Sequence, residues 1–142
     1  MTQVHIVKVV DEELLTQVNH LLPQLSSSAP ALTLEELRDA VQSSAITLFV
    51  ARHEERTVGM LTLAVFRIPT GIRAWIEDVV VDADARGLGV GALLTTSALA
   101  HAKQSGATTV DLTSRPSREA ANALYRRVGF VQRETNVYRF NL

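Results

Sequence analysis

The stretch VVVDADARGLGVGALL, Val79 to Leu94, sets Gly87, Gly89 and Gly91 into five positions between an apolar run and a second apolar segment. The run before it is β-branched and reads as a strand. The segment after it carries Val90, Leu93, Leu94, Ala98 and Ala102 on one stripe and reads as a helix ending at Ser105-Gly106. A helix N-terminus presents unpaired N–H groups and partial positive charge, and glycines let the backbone approach an anion closely. The stretch therefore points to a phosphate site at a β-to-α turn, with Arg86 immediately ahead of the first glycine.

Working outward, TTVDLTS (108–114) reads as the next strand, and a strand, helix, strand crossover of this length implies parallel pairing. Upstream, RAWIEDVVVD (73–82) is a strand almost continuous in apolar residues, which implies burial on both faces, yet it carries Glu77 and Asp78. Before it, 46–54 and 57–68 form an antiparallel hairpin around a tight polar turn at Glu55 and Arg56, and Thr70-Gly71 marks the next turn. HIVKVV (5–10) is a first strand. Asp11 then caps a helix with Leu14, Leu15, Val18, Leu21 and Leu22, expected to stop at Pro23. Thr33 and Glu36 form a capping box that opens a short second helix ending near Ser44. At the other end, SRPSREAANALYRRVGF is a helix with Ser117 as N-cap and Gly129 as terminator, followed by a last strand over 130–140. The expected fold is α/β, a single domain over 1–142. It has a mixed central sheet of about six strands with helices on both faces, in the order β-α-α-β-β-β-α-β-α-β.

Composition removes several function classes. Fourteen basic against fifteen acidic side chains give no field that would favour nucleic acid or an anionic membrane. The absence of cysteine excludes disulfides, thiolate zinc sites and an acyl-cysteine intermediate. The start, MTQVHIVKVVDEELL, is no signal peptide, and no apolar run approaches the roughly 18 residues of a membrane span, so a cytoplasmic protein is expected. His5, His20, His53 and His101 lack metal-ligand spacing, so no metal is expected, and no G-x-S-x-G elbow supports a serine hydrolase.

Two phosphate ligands can be argued against. A nucleoside triphosphate loop needs Lys and Ser or Thr after its last glycine, where Ala92-Leu93-Leu94 stand. Gly87, Gly89 and Ala92 do satisfy the dinucleotide pattern G-x-G-x-x-A, with Asp111 about 20 residues on. That pattern's first glycine follows its strand almost directly, whereas Ala83, Asp84, Ala85 and Arg86 intervene here, and too little chain follows to complete such a fold.

Read as R-x-x-G-x-G after WIEDVVVD, Arg86-Gly87-Leu88-Gly89-Val90-Gly91 resembles the acetyl-coenzyme A signature of the GNAT superfamily of N-acetyltransferases. The SRPSREAANALYRRVGF helix is similar to that family's second conserved block, with Tyr125 three residues after Asn122 and a terminal Gly129-Phe130. Element order agrees over essentially the whole chain. The resemblance implies acetyl-CoA as co-substrate and a sheet splayed between the strand ending at Asp82 and the strand starting at Thr108. The pantetheine arm would lie in that opening against the backbone of Val79, Val80 and Val81. The diphosphate would sit on the amides of Gly87, Leu88, Gly89, Val90, Gly91 and Ala92, with Arg86 shaping the loop. The sequence departs from a common family pattern at Arg118, which stands where an Asn is usual and would reach the 3′-phosphate or remain solvated.

Transfer of acetyl to a primary amine, in a small molecule or a peptide, sets three chemical requirements. A lysine-like amine, with a reference pKa of about 10.4, arrives protonated and needs a carboxylate to take its proton, directly or through water. Glu77 is the candidate base; Asp78 points to the other face unless a bulge reorients it, and inherits the role if Glu77 faces away from the cleft. The oxyanion needs a backbone N–H near Val79. The departing thiolate, with a pKa of about 8.5 by analogy with Cys, benefits from a proton donor, and Tyr125 is the candidate. Asn122, one turn earlier on the same face, would bond the pantetheine or a neighbouring carbonyl. The acceptor site is expected among the first two helices, the Leu22–Leu32 loop and the turn at Pro69–Ile72. The alternative to an enzyme is a catalytically inactive acyl-CoA-binding sensor or partner domain. The resemblance allows a homodimer, in which the last strand, NVYRFNL, would pair or swap at a sheet edge, and the sequence leaves the oligomeric state open.

Overall fold

The computed structural model describes residues 1–142. The β-branched and aromatic runs form five strands hydrogen-bonded in chain order: β1 (Thr2–Ile6), β2 (Ile46–His53), β3 (Arg56–Ile68), β4 (Gly71–Val81) and β5 (Thr109–Asp111). The first four make an antiparallel meander, and β5 joins β4 in parallel after a helical crossover. Four helices cover the sheet: α1 (Glu12–Leu25), α2 (Leu34–Gln42), α3 (Val90–Gln104) and α4 (Glu119–Val128). None is long and apolar enough to cross a membrane.

Strand alternation divides the apolar residues between two clusters, one on each face. Phe49, Ala51, Leu61, Leu63, Ala74 and Ile76 point toward Val90, Leu94, Ala98 and Ala102 of α3. Leu48, Val50, Met60 and Val80 point the other way, onto Val18 and Leu21 of α1 and Leu37 of α2. The α3 side approaches the sheet most closely at Gly59. A Cβ there would lie 3.0 Å from Val90 Cγ1 and 3.1 Å from Leu94 Cδ1, so even a methyl group would oblige these side chains to give by a few tenths of an ångström.

The hairpin between β2 and β3 turns on two residues, Glu54 and Glu55, with φ of 50° and 66°. Two consecutive left-handed residues match the twist of the strands, but the conformation favours glycine or asparagine over glutamate. Asp11 and Thr33 cap α1 and α2, accepting from Leu14 N at 2.8 Å and Glu36 N at 3.1 Å.

Several boundaries differ from the sequence reading, among them β5, which spans Thr109–Asp111 rather than 108–114. The first strand is Thr2–Ile6 rather than 5–10, because its register with β2 runs from Thr2↔His53 to Ile6↔Phe49. The helix α1 passes Pro23 and ends at Leu25; proline in the last turn removes one bond, and Ser26 N–H still reaches Leu22 O at 2.9 Å. The N-cap of α4 is Arg118, with no side-chain cap bond, rather than Ser117. Residues 130–140 form no strand, so the sheet has five strands instead of about six. Their pattern suits a strand, but a strand exists only against a neighbour, and nothing in the chain pairs with them.

Candidate active site

The two edges of β4 are unequal. Along one edge it pairs with β3 from Gly71 to Val81, while along the other β5 reaches only Arg73, Ala74 and Trp75. From Ile76 to Val81 the second edge is open, as the sequence reading of a splayed sheet requires.

A bulge sits where the edge opens. Thr62 pairs with Glu77 and Met60 with Val80, so β4 has one more residue than β3 across this interval. Asp78, at φ 51°, is exposed there. The extra residue reverses the alternation. Ile76 faces α3, but Val80 joins the α1–α2 cluster while Val79 and Val81 pack on the α3 side. Glu77, next to Ile76, consequently projects on the face that α1 and α2 cover; it is exposed and pairs with neither Arg67 nor Arg73.

Asp82 terminates β4 and is 3% exposed. Its N–H donates to Val58 O at 2.8 Å, and its carboxylate accepts from Asp84 N at 3.1 Å. His20 Nε2 of α1 lies 3.1 Å from Oδ2, and Arg56 Nη2 lies 3.9 Å from it. The Asp84 amide, then His20 and Arg56, hold this carboxyl below its ordinary range against the opposing effect of burial. Gln24 Oε1 accepts from Ala83 N at 2.9 Å. These bonds fix a short 3₁₀ turn, Ala83–Ala85, from which the glycine loop departs.

In that loop Gly87 and Gly89 have φ of 84° and 75°, with open space where a Cβ would be. The amides of Gly87, Leu88 and Gly89 meet no backbone acceptor, and the first helical bond of α3 runs from Leu93 N to Gly89 O at 3.1 Å. Gly89, in the N-cap position, supplies no side-chain cap. The first-turn amides of Val90, Gly91 and Ala92 are thus left for an outside acceptor. Arg86 is exposed and has no ion-pair partner. Gly91 draws three elements together: a Cβ there would lie 2.9 Å from Leu124 Cδ2 of α4 and 3.8 Å from Val81 Cγ2 of β4.

Tyr125, beside Leu124, is 8% exposed and packs edge-on against Phe130, with ring centroids 5.7 Å apart. Burial raises its pKa above the ordinary 10, with the Arg118 charge opposing. The phenol therefore stays protonated at neutral pH and is available as a donor. Asn122 Nδ2 bonds Arg115 O and Arg118 O, both at 2.9 Å, so it braces the segment leading into α4. In that segment Ser114 Oγ is buried without a hydrogen-bond partner.

The fold thus gathers the open edge of β4, the glycine loop and the Tyr125 helix around Gly91, with Glu77 on the opposite face of β4. Sequence reading did not single out Asp82, Gln24 or Ser114. An aspartate at a strand end before a turn is a recognisable local signal for Asp82, but the partnership of His20 and Gln24 with residues about 60 positions away leaves no local trace. Free amides in the loop suit an anion, and the unpaired strand groups beside it suit an extended amide chain.

The Acetyltransferase (GNAT) family model matches residues 15–130, and the chain belongs to this family. No curated protein matches it in sequence. Among solved structures, a putative acetyltransferase from Agrobacterium tumefaciens is 25% identical with a TM-score of 0.87, covering 98% of this chain and 99% of the other. A protein described as a transcriptional regulator from Bacillus halodurans is 25% identical with a TM-score of 0.86 over the full length of both chains. An aminoglycoside N-acetyltransferase solved with CoA has the same fold at 14% identity, with a TM-score of 0.84 over 99% of this chain and 95% of that one.

Proposed function

We propose that this chain transfers the acetyl group of acetyl-CoA directly to the nitrogen of a primary amine within a ternary complex. The observation that carries the proposal is the open edge of β4 from Ile76 to Val81, which lies beside a glycine loop whose amides have no acceptor in the protein. Family membership and the CoA complex of the aminoglycoside N-acetyltransferase support the same co-substrate.

The co-substrate supplies an activated acyl group as a thioester. In this reading the amides from Gly87 to Ala92 bind the diphosphate, and the backbone groups of Val79 and Val81, which alternation turns away from β3, align the pantetheine amides and offer an N–H to the developing oxyanion, while Val80 faces β3. Glu77 projects on the α1–α2 face, where the acceptor site is expected, so Glu77 rather than Asp78 takes the ammonium proton of the acceptor through solvent; the free amine then attacks the acyl carbon. Tyr125 donates its phenolic proton to the departing sulfur as the C–S bond breaks, and burial keeps that proton in place at neutral pH.

Release of CoA thiol from acetyl-CoA across a panel of amines tests this directly, and a chain without cysteine contributes no thiol background. Turnover with at least one amine is the expected result. Tight CoA binding with no turnover on any amine overturns the catalytic reading and leaves an acyl-CoA-binding module.

A further inference from the structure

At the β1 end of the sheet, a cavity of about 260 Å³ lies between the first strands and the N-terminal half of α1. Its floor is Val50 and Thr57, both buried. Charged side chains of both signs form its walls, and they are sorted by element. His5 of β1 and Arg52 of β2 share the sheet face that α1 covers: His5 pairs with Val50, which packs in the α1–α2 cluster, and Arg52 stands two residues beyond Val50. Lys8 adds a third basic group from the loop between β1 and α1. Opposite them, Asp11 and Glu13 stand at the start of α1. None of these five side chains is ion-paired. Basic groups on the sheet side and carboxylates on the helix side are held apart across one space instead of neutralising each other.

The inner wall of the cavity is tied to the glycine loop. Gln17 closes it: its Oε1 accepts from the Thr57 hydroxyl, and its Nε2 donates to Glu13 Oε1 at 3.3 Å. One turn further along α1, His20 Nε2 lies 3.1 Å from the Asp82 carboxylate, and a turn beyond that Gln24 Oε1 accepts from Ala83 N at 2.9 Å. On the strand side, Thr57 is followed by Val58, whose carbonyl accepts from Asp82 N at 2.8 Å. A shift of α1 against Thr57 therefore bears on the contacts that hold the turn ahead of Gly87.

We infer that this cavity is an effector site for a free α-amino acid, whose occupancy α1 carries to the glycine loop. A zwitterion answers the sorted walls. Its carboxylate meets His5, Lys8 and Arg52; its ammonium meets Glu13 and the second carboxylate oxygen of Asp11, whose Oδ1 accepts from Leu14 N. A simple anion or cation would satisfy one wall and be repelled by the other. The volume lies just under the roughly 300–1,000 Å³ of sites for drug-sized ligands, which suits a smaller molecule. With β3 standing between β2 and β4, an amino acid held here is not the acceptor of the acetyl group. The site rests on the cavity alone; only its link to the loop rests on the acetyltransferase reading.

Isothermal titration of the intact chain with the standard L-α-amino acids, one at a time and without co-substrate, tests the site. Saturable binding of at least one of them, one molecule per chain, is expected. The N-acetyl and α-amide forms of the same amino acid should not bind, and Lys8→Met and Glu13→Gln should each weaken binding about tenfold or more. Both positions are exposed, so the variants should keep the wild-type circular dichroism. Glu77→Gln should bind the amino acid as the wild type does. On saturation with the amino acid, the Kd for CoA should shift about fivefold or more. Absence of saturable binding overturns the inference, as does binding unchanged in both cavity variants. Binding that Glu77→Gln removes also overturns it, since the amino acid would then occupy the acceptor face. Binding in the cavity with an unmoved Kd for CoA overturns the link through α1. A chain that takes the amino acid but binds no CoA overturns the acetyltransferase reading instead, and supports the site.

Discussion

The two halves of β4 differ in what they leave open. From Ile72 to Trp75 the strand is hydrogen-bonded on both sides, to β3 and to β5 or the residue before it; from Ile76 to Val81 only β3 holds it. Both halves are mainly apolar, with Arg73 in one and Glu77 and Asp78 in the other, and these side chains do not decide which backbone groups are paired. What separates them is whether a neighbour arrives. A fully paired strand has no backbone groups left for a ligand, whereas a half-paired strand packed on two clusters stays in place and still offers them. The bulge at Asp78 stands at the border.

The largest effect is expected from Tyr125→Phe, which removes the proposed donor beside the open half. The rate constant kcat should fall about 10²–10⁴-fold, the range for a positioned acid, with little change in the KM for acetyl-CoA. Steady-state kinetics decide it: a collapse of acetyl-CoA binding instead would assign the ring to packing. The wild-type kcat should hold on the alkaline side to pH 10 or beyond, because the Tyr125 pKa is raised.

Deleting Asp78 attacks the border itself. Val79 would then pair with Leu61, both already facing α3, so the clusters keep their members while the kink disappears. Activity should drop about 10²-fold, the cost of roughly 1 Å of misplacement. The thermal midpoint should hold or rise, since a non-glycine residue at positive φ is removed. A variant that loses its fold would show that the bulge supports the core.

Smaller in scale, Asp82→Asn loosens the turn that launches the loop. A cost of about 1–3 kcal/mol at pH 7 is expected from urea denaturation, as for a buried charged hydrogen-bonding group. The carboxyl sits below its ordinary range when folded, so the folded state binds fewer protons than the unfolded one near the unfolded value of about 3.9. Its contribution is therefore present above that value and lost as pH falls through the folded pKa, and the difference between wild type and variant should close below about pH 4. A gap that persists into acid would mean the charge is not what anchors the turn.

Least of all, and as a control distant in sequence from both halves, Glu55→Gly should stabilise the protein by about 1 kcal/mol, because the left-handed conformation suits glycine. Its effect on kcat should be nil. A change in rate there would mean the hairpin reports to the site.

Most of the architecture was legible because it is written in local periods. The β2–β3 hairpin, the Thr33 cap, the α3 stripe and the crossover to β5 all follow from spacing within a few residues. The glycine loop was legible as a β-to-α turn with unpaired amides for the same reason, since the glycines that expose them occupy one short stretch. Asn122 was placed on the correct helix with the pantetheine or a neighbouring carbonyl as its partner, and the fold shows the carbonyls, those of Arg115 and Arg118. Asp78 carries no mark of its left-handed backbone in a sequence where Glu77 stands beside it. The last strand failed for a different reason: alternation in NVYRFNL describes a residue's two sides but names no neighbour.

Gly59 carries a consequence for tuning this protein. The start of α3 rests on it as a shaft rests on a bearing, with Val90 and Leu94 in contact and the loop amides one turn away. A methyl group there would press Val90 and Leu94 outward by a few tenths of an ångström, and the first turn of α3 with them. If the loop amides bind the diphosphate as proposed, the grip on it is adjustable from underneath, by a residue outside the loop.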